Sequence, residues 1–140
     1  GFDVLFFSKA ADKDLADLSR REDRVLLTRD TGLIERTAKR PNRLFVRSDD
    51  WEDQVVQVLD DLGLWDDVRP NTRCIECNLP LKALTRERAR NLVTPYVSEH
   101  ASSFAICPGC NRVFWQGTHY GDMERKIERL LERRVKTITG

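Results

Sequence analysis

Four cysteines carry the clearest chemistry in the sequence. Cys74 and Cys77 form one C-x-x-C pair, and Cys107 and Cys110 form a second, with 29 residues between the pairs. Thiolate is a preferred zinc ligand, and four of them complete a tetrahedral structural site. Two intervening residues let one tight turn aim both sulfurs at a single ion. In the second pair Pro108 and Gly109 are turn-forming residues. Arg73 and Arg112 flank the pairs, where their charge offsets that of a four-thiolate site. One competing reading, two disulfides, needs an oxidising compartment. Another, a redox C-x-x-C, needs no second pair. The doubled motif favours zinc. Four protein ligands leave no position for a substrate, so the ion's role is structural.

Aspartates form a second group of candidates. Asp30 closes the string Thr28-Arg29-Asp30, Asp49 follows the apolar run at 43–47, and Asp12 and Asp14 stand at the start of a helical pattern. In parallel α/β sheets, ligands gather beyond the carboxyl ends of the strands. Carboxylates collected there suit Mg²⁺ or Mn²⁺, which prefer oxygen ligands and keep several waters. Such a site can activate a water for phosphodiester hydrolysis. Each aspartate also has a structural reading. Asp12 and Asp49 suit helix N-caps, and Asp30 suits a strand-to-helix turn.

The elements that must position these residues follow from hydrophobic periodicity. The sequence predicts strands over 3–7, 24–28 and 43–47. It predicts a helix over 12–22 capped by Asp12, with Leu15 and Leu18 on its inner face. Thr31 is expected to cap a short helix holding Leu33 and Ile34 and ending before Pro41. Ser48 or Asp49 is expected to open a helix in which Val55, Val58, Leu59 and Leu62 recur at helical spacing, stopped by Gly63. Trp51 and Trp65 flank that helix as core or interface residues. Strands alternating with helices predict a parallel α/β sheet. Residues 64–73 read as a linker and 74–115 as the zinc module, with a basic helix over 85–92 and a strand over 112–116. Asp122 is expected to cap a last helix carrying Ile127, Leu130, Leu131 and Arg134.

Composition sets the class. The chain has 140 residues, 40% apolar and 34% charged, which is enough apolar material for a folded core. Its longest clearly apolar run, Val4 to Phe7, is far too short to cross a bilayer. No secretory pattern is visible, so a cytoplasmic location is expected. The net charge of +1 hides an asymmetry: residues 1–70 hold 12 Lys/Arg against 16 Asp/Glu, and residues 71–140 hold 12 against 7. A basic half suggests a polyanionic partner.

His119 sits among Trp115, Gly117, Tyr120 and Gly121. There it could face a nucleic-acid backbone or move a proton, although a hydrogen-bonded structural role is the preferred reading. His100 precedes a zinc set already complete and is not assigned to it. Phe114 and Trp115 alternate on a strand, so one packs inward and the other is free to stack on a base.

The order of these motifs resembles a known family. The stretch from Asp12 through Arg24-Val25-Leu26-Leu27-Thr28-Arg29-Asp30 resembles PIN-like nucleases. Val46-Arg47-Ser48-Asp49-Asp50 follows, then the two knuckles, Pro95-Tyr96-Val97, the run Asn111-Arg112-Val113-Phe114-Trp115 and Gly117-Thr118-His119-Tyr120. The whole order, over residues 1–123, is similar to the Mut-seven C-terminal RNase-domain family. The resemblance implies an α/β fold with a PIN-like parallel sheet and flanking helices, followed by a four-cysteine zinc ribbon and a C-terminal helix. It divides the chain at 1–68, 69–121 and 122–140. It implies catalytic metal roles for Asp12 and Asp30, with Asp14 and Asp49 as further candidates, and zinc ligation by Cys74, Cys77, Cys107 and Cys110. The family's opening strand, which ends in an aspartate, has no counterpart before Gly1-Phe2-Asp3. Three readings follow: a fragment (preferred), a strand supplied by another chain, or a rearranged fold without catalysis.

Two functions are therefore expected. The first is a metal-dependent endoribonuclease using Mg²⁺ or Mn²⁺, its zinc ribbon gripping RNA through Arg86, Arg88, Arg90, Arg112 and His119. The second is a non-catalytic RNA- or ribosome-binding zinc-ribbon protein. A zinc-stabilised protein–protein adaptor is a third reading.

Overall fold

The strands and helices that carry the candidate residues are short. The computed structural model describes residues 1–39, 42–117, 121 and 125–133. Its contacts divide the chain into two units, Phe6–Asp66 and a second formed by Gly1–Leu5 with Asp67–Gly140. The coarse expectation of a mixed α/β chain with a small parallel sheet and a cysteine cluster holds.

The Phe6–Asp66 unit runs α1 (Asp12–Arg21), β1 (Leu26–Thr28), α2 (Thr31–Arg36), β2 (Arg43–Phe45) and α3 (Trp51–Asp61). β1 and β2 pair in parallel, with Leu26 beside Arg43 and Thr28 beside Phe45. A parallel pair needs a crossover, which α2 provides. Its buried Leu33 and Thr37 face inward, and the Thr37 hydroxyl donates to the Leu33 carbonyl at 2.8 Å.

The carboxyl end of β2 is completed by a side chain. Buried Gln57 on α3 donates to the Phe45 carbonyl at 2.8 Å and accepts from the Arg47 amide at 3.0 Å. Its primary amide copies the donor and acceptor of a neighbouring strand, so backbone groups that a ladder would pair are satisfied. Leu59 and Trp65 are buried beyond it, and the Trp65 indole donates to Asp60 at 2.6 Å. Gly63 takes a φ of +65°, the left-handed stop expected after α3.

In the second unit β3 (Lys82–Leu84), β4 (Phe104–Ile106) and β5 (Val113–Trp115) form an antiparallel sheet in that order. Between β3 and β4 lie α4 (Arg86–Ala89) and α5 (Pro95–His100). Thr85 caps α4 and Thr94 caps α5, with Pro95 at the first turn. A small core joins Ala89, Ala101 and Phe104 to Leu84, Val93, Val97 and Val113. Arg86 ties this core together: its guanidinium donates to the carbonyls of Ser98 and Ala101 and lies 5.8 Å from the Phe104 ring centre. Residues 125–133 are helical.

Several local expectations change. Residues 3–7 are not a strand, and Val4 to Phe7 are exposed. Their composition suits a buried strand, but no strand pairs with them among the described residues. The Val4 amide instead donates to Asn78 at 3.3 Å, and Asn78 donates to Asp3 at 2.5 Å. Asp12 is not a cap, since Ala11 holds that position and Asp12 lies in the first turn of α1. Asp30, not Thr31, caps α2, and Asp50, not Ser48 or Asp49, caps α3. Pro41, Asp122 and Arg134 lie outside the described residues.

Candidate functional site

The two cysteine knuckles have the same backbone construction. In the first, the Asn78 amide donates to the Cys74 carbonyl at 2.9 Å and the Cys74 amide to the Leu79 carbonyl at 2.9 Å. In the second, Asn111 donates to Cys107 and Cys107 to Arg112, both at 3.0 Å. The residue after each second cysteine is left-handed, Asn78 at φ +57° and Asn111 at φ +59°. Asparagine tolerates that conformation better than other residues with a side chain. The doubled string Cys-x-x-Cys-Asn carries this signal in the sequence, beside the turn formers Pro108 and Gly109.

The turns bring all four sulfurs to within 4.8 Å of one another. Cys74 and Cys110 are 3.7 Å apart, and Cys74 and Cys107 are buried. The first knuckle's Leu79 fits against the second because residue 109 has no side chain: a Cβ there would come within 2.6 Å of Leu79 Cδ1. Amides aim at the sulfurs, Cys77 N–H at Cys74 (3.5 Å) and Gly109 N–H at Cys107 (3.4 Å). Backbone N–H donation, first from Cys110, holds the Cys107 thiol down at about 7. The neighbouring Cys110 thiol, with burial and Cys107, pushes Cys77 up to about 12. Crowded thiols of this kind cannot all ionise without a cation. The donor set, its closeness and its amide support fit zinc, as the spacing predicts. Arg112 is paired with Glu76 at 2.7 Å, and Arg73 donates to the Asn78 carbonyl at 2.6 Å.

The aspartates lie at the carboxyl ends of β1 and β2 and at the starts of α1, α2 and α3, and Asp12, Asp30 and Asp49 each serve the local fold. Asp30 accepts from the Leu33 amide at 2.9 Å, while its own amide donates to the Thr28 hydroxyl at 3.0 Å. Asp49 pairs with Arg29, so the residues following the two parallel strands meet. Asp12 pairs with Arg36 of α2. A Cβ on Gly32 would lie 3.0 Å from Arg36 Nη1 and 3.1 Å from Asp30 Oδ1. The Arg36 guanidinium thus binds Asp12 and borders the same point as Asp30. Asp14 is exposed on the first turn of α1. Among the described residues the cysteines are the group of three or more metal-type ligands that converges, and the aspartates do not.

Of the basic candidates, Arg86 is engaged by carbonyls, Arg112 by Glu76, and Arg88 and Arg90 are exposed. His119 lies outside the described residues. No helix among the described residues is long and apolar enough to cross a membrane.

No curated protein and no solved structure matches the chain. The family model described as the Mut7-C RNAse domain matches residues 1–127, a span that takes in the Thr28-Arg29-Asp30 turn and both knuckles. A match over that much of the sequence, with four thiols gathered as a zinc ribbon requires, settles its relationship: the chain belongs to the Mut7-C RNAse domain family.

Proposed function

We propose that the chain is an endoribonuclease of PIN-like architecture that hydrolyses RNA phosphodiesters at the carboxyl edge of β1 and β2. Family membership supplies the nuclease class and RNA as substrate. The observation that carries the location is the Asp12–Arg36 pair bordering Asp30, beside the Arg29–Asp49 pair. The Arg36 guanidinium pairs with Asp12, and it borders the same point beside Gly32 as Asp30 Oδ1, so an Mg²⁺ or Mn²⁺ ion that displaced it would meet one or two carboxylates. Asp12 and Asp30 would hold the ion, with Asp14 and Asp49 beside them. Bound there, it would supply Lewis acidity and a water of lowered pKa. Arg29 and Arg36 would offer fork-shaped donors to the phosphate. Asp30 would keep its turn fixed through Thr28 and Leu33, so its carboxylate is already oriented when substrate arrives.

The test is cleavage of single-stranded RNA in Mg²⁺ and Mn²⁺ by the natural chain and by Asp30→Asn. Asparagine caps helices as well as aspartate does, so α2 persists while the charge is lost. Cleavage abolished by this substitution supports the reading, and cleavage indifferent to it places the chemistry elsewhere. A second reading, RNA binding without hydrolysis, is favoured by one observation: Asp12 and Asp49 are paired with arginines, and Asp30 accepts from a helix amide. It predicts RNA affinity with no cleavage in either ion.

A further inference from the structure

Tyr96 stands out on the surface of the second unit. It is 70% exposed, yet its ring is not free to wander. It stacks on His100 one helical turn later, with ring centres 4.2 Å apart and planes 21° from parallel. His100 Nδ1 is in turn 2.8 Å from the Tyr96 carbonyl oxygen, which fixes the imidazole. The helix beneath is anchored too: Arg86 bonds the carbonyls of Ser98 and Ala101, and Val97 packs in the core. An aromatic ring held rigid in water contributes little to folding. It is, however, set up to bind, because the ordering cost of docking has already been met.

The surroundings are basic. Residues 82–100 hold Lys82, Arg86, Arg88 and Arg90 against Glu87 and Glu99. Arg88 and Arg90 are exposed. Arg90 is six residues from Tyr96, at most about 20 Å along the chain, a reach that a few nucleotides of single-stranded RNA cover. A flat π-face with cationic side chains within a few nucleotides' reach is a combination that single-stranded nucleic acid uses, bases stacking on the ring and phosphates meeting the charges.

We propose that the Tyr96–His100 pair is a stacking platform for a base of single-stranded RNA, with Arg88 and Arg90 taking the adjoining phosphates. This rests on RNA being the substrate, and it places one point of grip on α5, in the unit of the knuckles.

The experiment measures fluorescence anisotropy of a labelled ten-nucleotide oligouridine on the full zinc-loaded chain, with RNA cleavage followed in parallel. Tyr96→Ala is expected to weaken binding by about five- to a hundredfold, the range for losing one stacked base. Tyr96→Phe keeps the ring and is expected to bind as the natural chain does. The pair Arg88→Gln and Arg90→Gln is expected to lower the slope of log affinity against log salt by about 0.7 per lost phosphate contact. If Tyr96→Ala binds unchanged while the natural chain binds and cleaves RNA, the platform is overturned and the nuclease reading stands. If Tyr96→Ala loses affinity and no form cleaves, the platform stands and the nuclease reading falls. If the natural chain neither binds nor cleaves, both are overturned. Tyr96 is exposed, so its loss leaves the fold intact, and an unchanged melting temperature verifies this.

Discussion

The cysteine knuckles bring like-charged ligands to one point, whereas the aspartates at the edge of β1 and β2 do not converge. At the knuckles the fold exists to aim the sulfurs. Two identical turns, two left-handed asparagines and several amides converge on one point, and the surrounding core is small. At the edge of β1 and β2 the carboxylates are built into the fold itself, as a helix cap and as ion pairs with Arg29 and Arg36. A thiol set of this kind has one use, whereas a carboxylate at a helix start has two. This contrast predicts that losing a thiolate is a folding event and losing a carboxylate is a chemical one.

The largest effect should follow from removing zinc. Structural zinc sites in small modules contribute on the order of 10 kcal/mol or more to folding. Chelation, or Cys107→Ser, is expected to abolish the cooperative melt of the second unit while hydrogen exchange in β1 and β2 stays protected. Survival of both units without metal would erase the contrast. Acid should act in the same direction. Cys107 is held at about 7, below its ordinary value of 9.0, so the folded knuckles offer zinc a thiolate there that is lost as pH falls through 7. Cys77, raised to about 12, has the opposite sign: without a metal it keeps its proton in the folded knuckles until pH climbs through 12. Zinc must displace the Cys77 proton, so zinc affinity measured against a competing chelator should fall as pH is lowered.

Next in size is Asp30. Asp30→Asn is expected to cut RNA cleavage by about a hundredfold or more, the scale on which loss of a preorganised charge acts, with little change in stability. Asp30→Ala removes the cap as well and should cost about 1 kcal/mol in addition. Equal stability for both variants would show that the carboxylate does not hold the turn.

Smaller still are two side chains that each replace a missing stretch of backbone pairing. Arg86→Ala leaves the carbonyls of Ser98 and Ala101 without their charged donor and uncovers Phe104, for about 2 kcal/mol. Gln57→Ala strands the Phe45 carbonyl and the Arg47 amide, for a similar amount. Thermal melts of zinc-loaded protein should assign the first loss to the knuckle unit and the second to the α/β unit.

These two residues also mark where the sequence could be read and where it could not. Periodicity located α1, α3 and the β1–α2–β2 crossover, because Leu33, Val58 and Leu59 recur at spacings that local geometry enforces. The C-x-x-C spacing located the sulfurs for the same reason. Gln57 looked like a polar position on an amphipathic helix, since nothing local says that a strand end will lie against it. Residues 3–7 looked like a strand because strand character is only realised when a neighbour is present, and pairing is non-local. Periodicity does not locate α5, β3 and β4 for the converse reason: the three-residue strands gain their ladder from each other, and α5 is too short to show a repeat, so Thr94-Pro95 is its one local start signal. The choice among Asp30, Thr31, Ser48, Asp49 and Asp50 as caps could not be settled by residue type, since all five suit the position.

The smallest effect sharpens the comparison furthest, because it separates backbone conformation from ligand chemistry. Asn111 donates its amide to Cys107 from a left-handed conformation and is not itself a metal ligand. Asn111→Ala should cost about 1 kcal/mol, the penalty for a Cβ in that region, and Asn111→Gly should cost nothing or stabilise slightly. If the knuckle exists to aim sulfur, that cost must appear in the metal site, as zinc affinity lowered about fivefold for alanine and unchanged for glycine. At the other region residue 30 has an ordinary extended backbone, and Asp30→Gly loses a cap but should leave zinc affinity alone. A chelator competition on these three variants therefore asks whether turn geometry is coupled to the ion. Equal zinc affinity for Asn111→Ala and Asn111→Gly would mean that the sulfurs are positioned by the core around Phe104 and not by the turns.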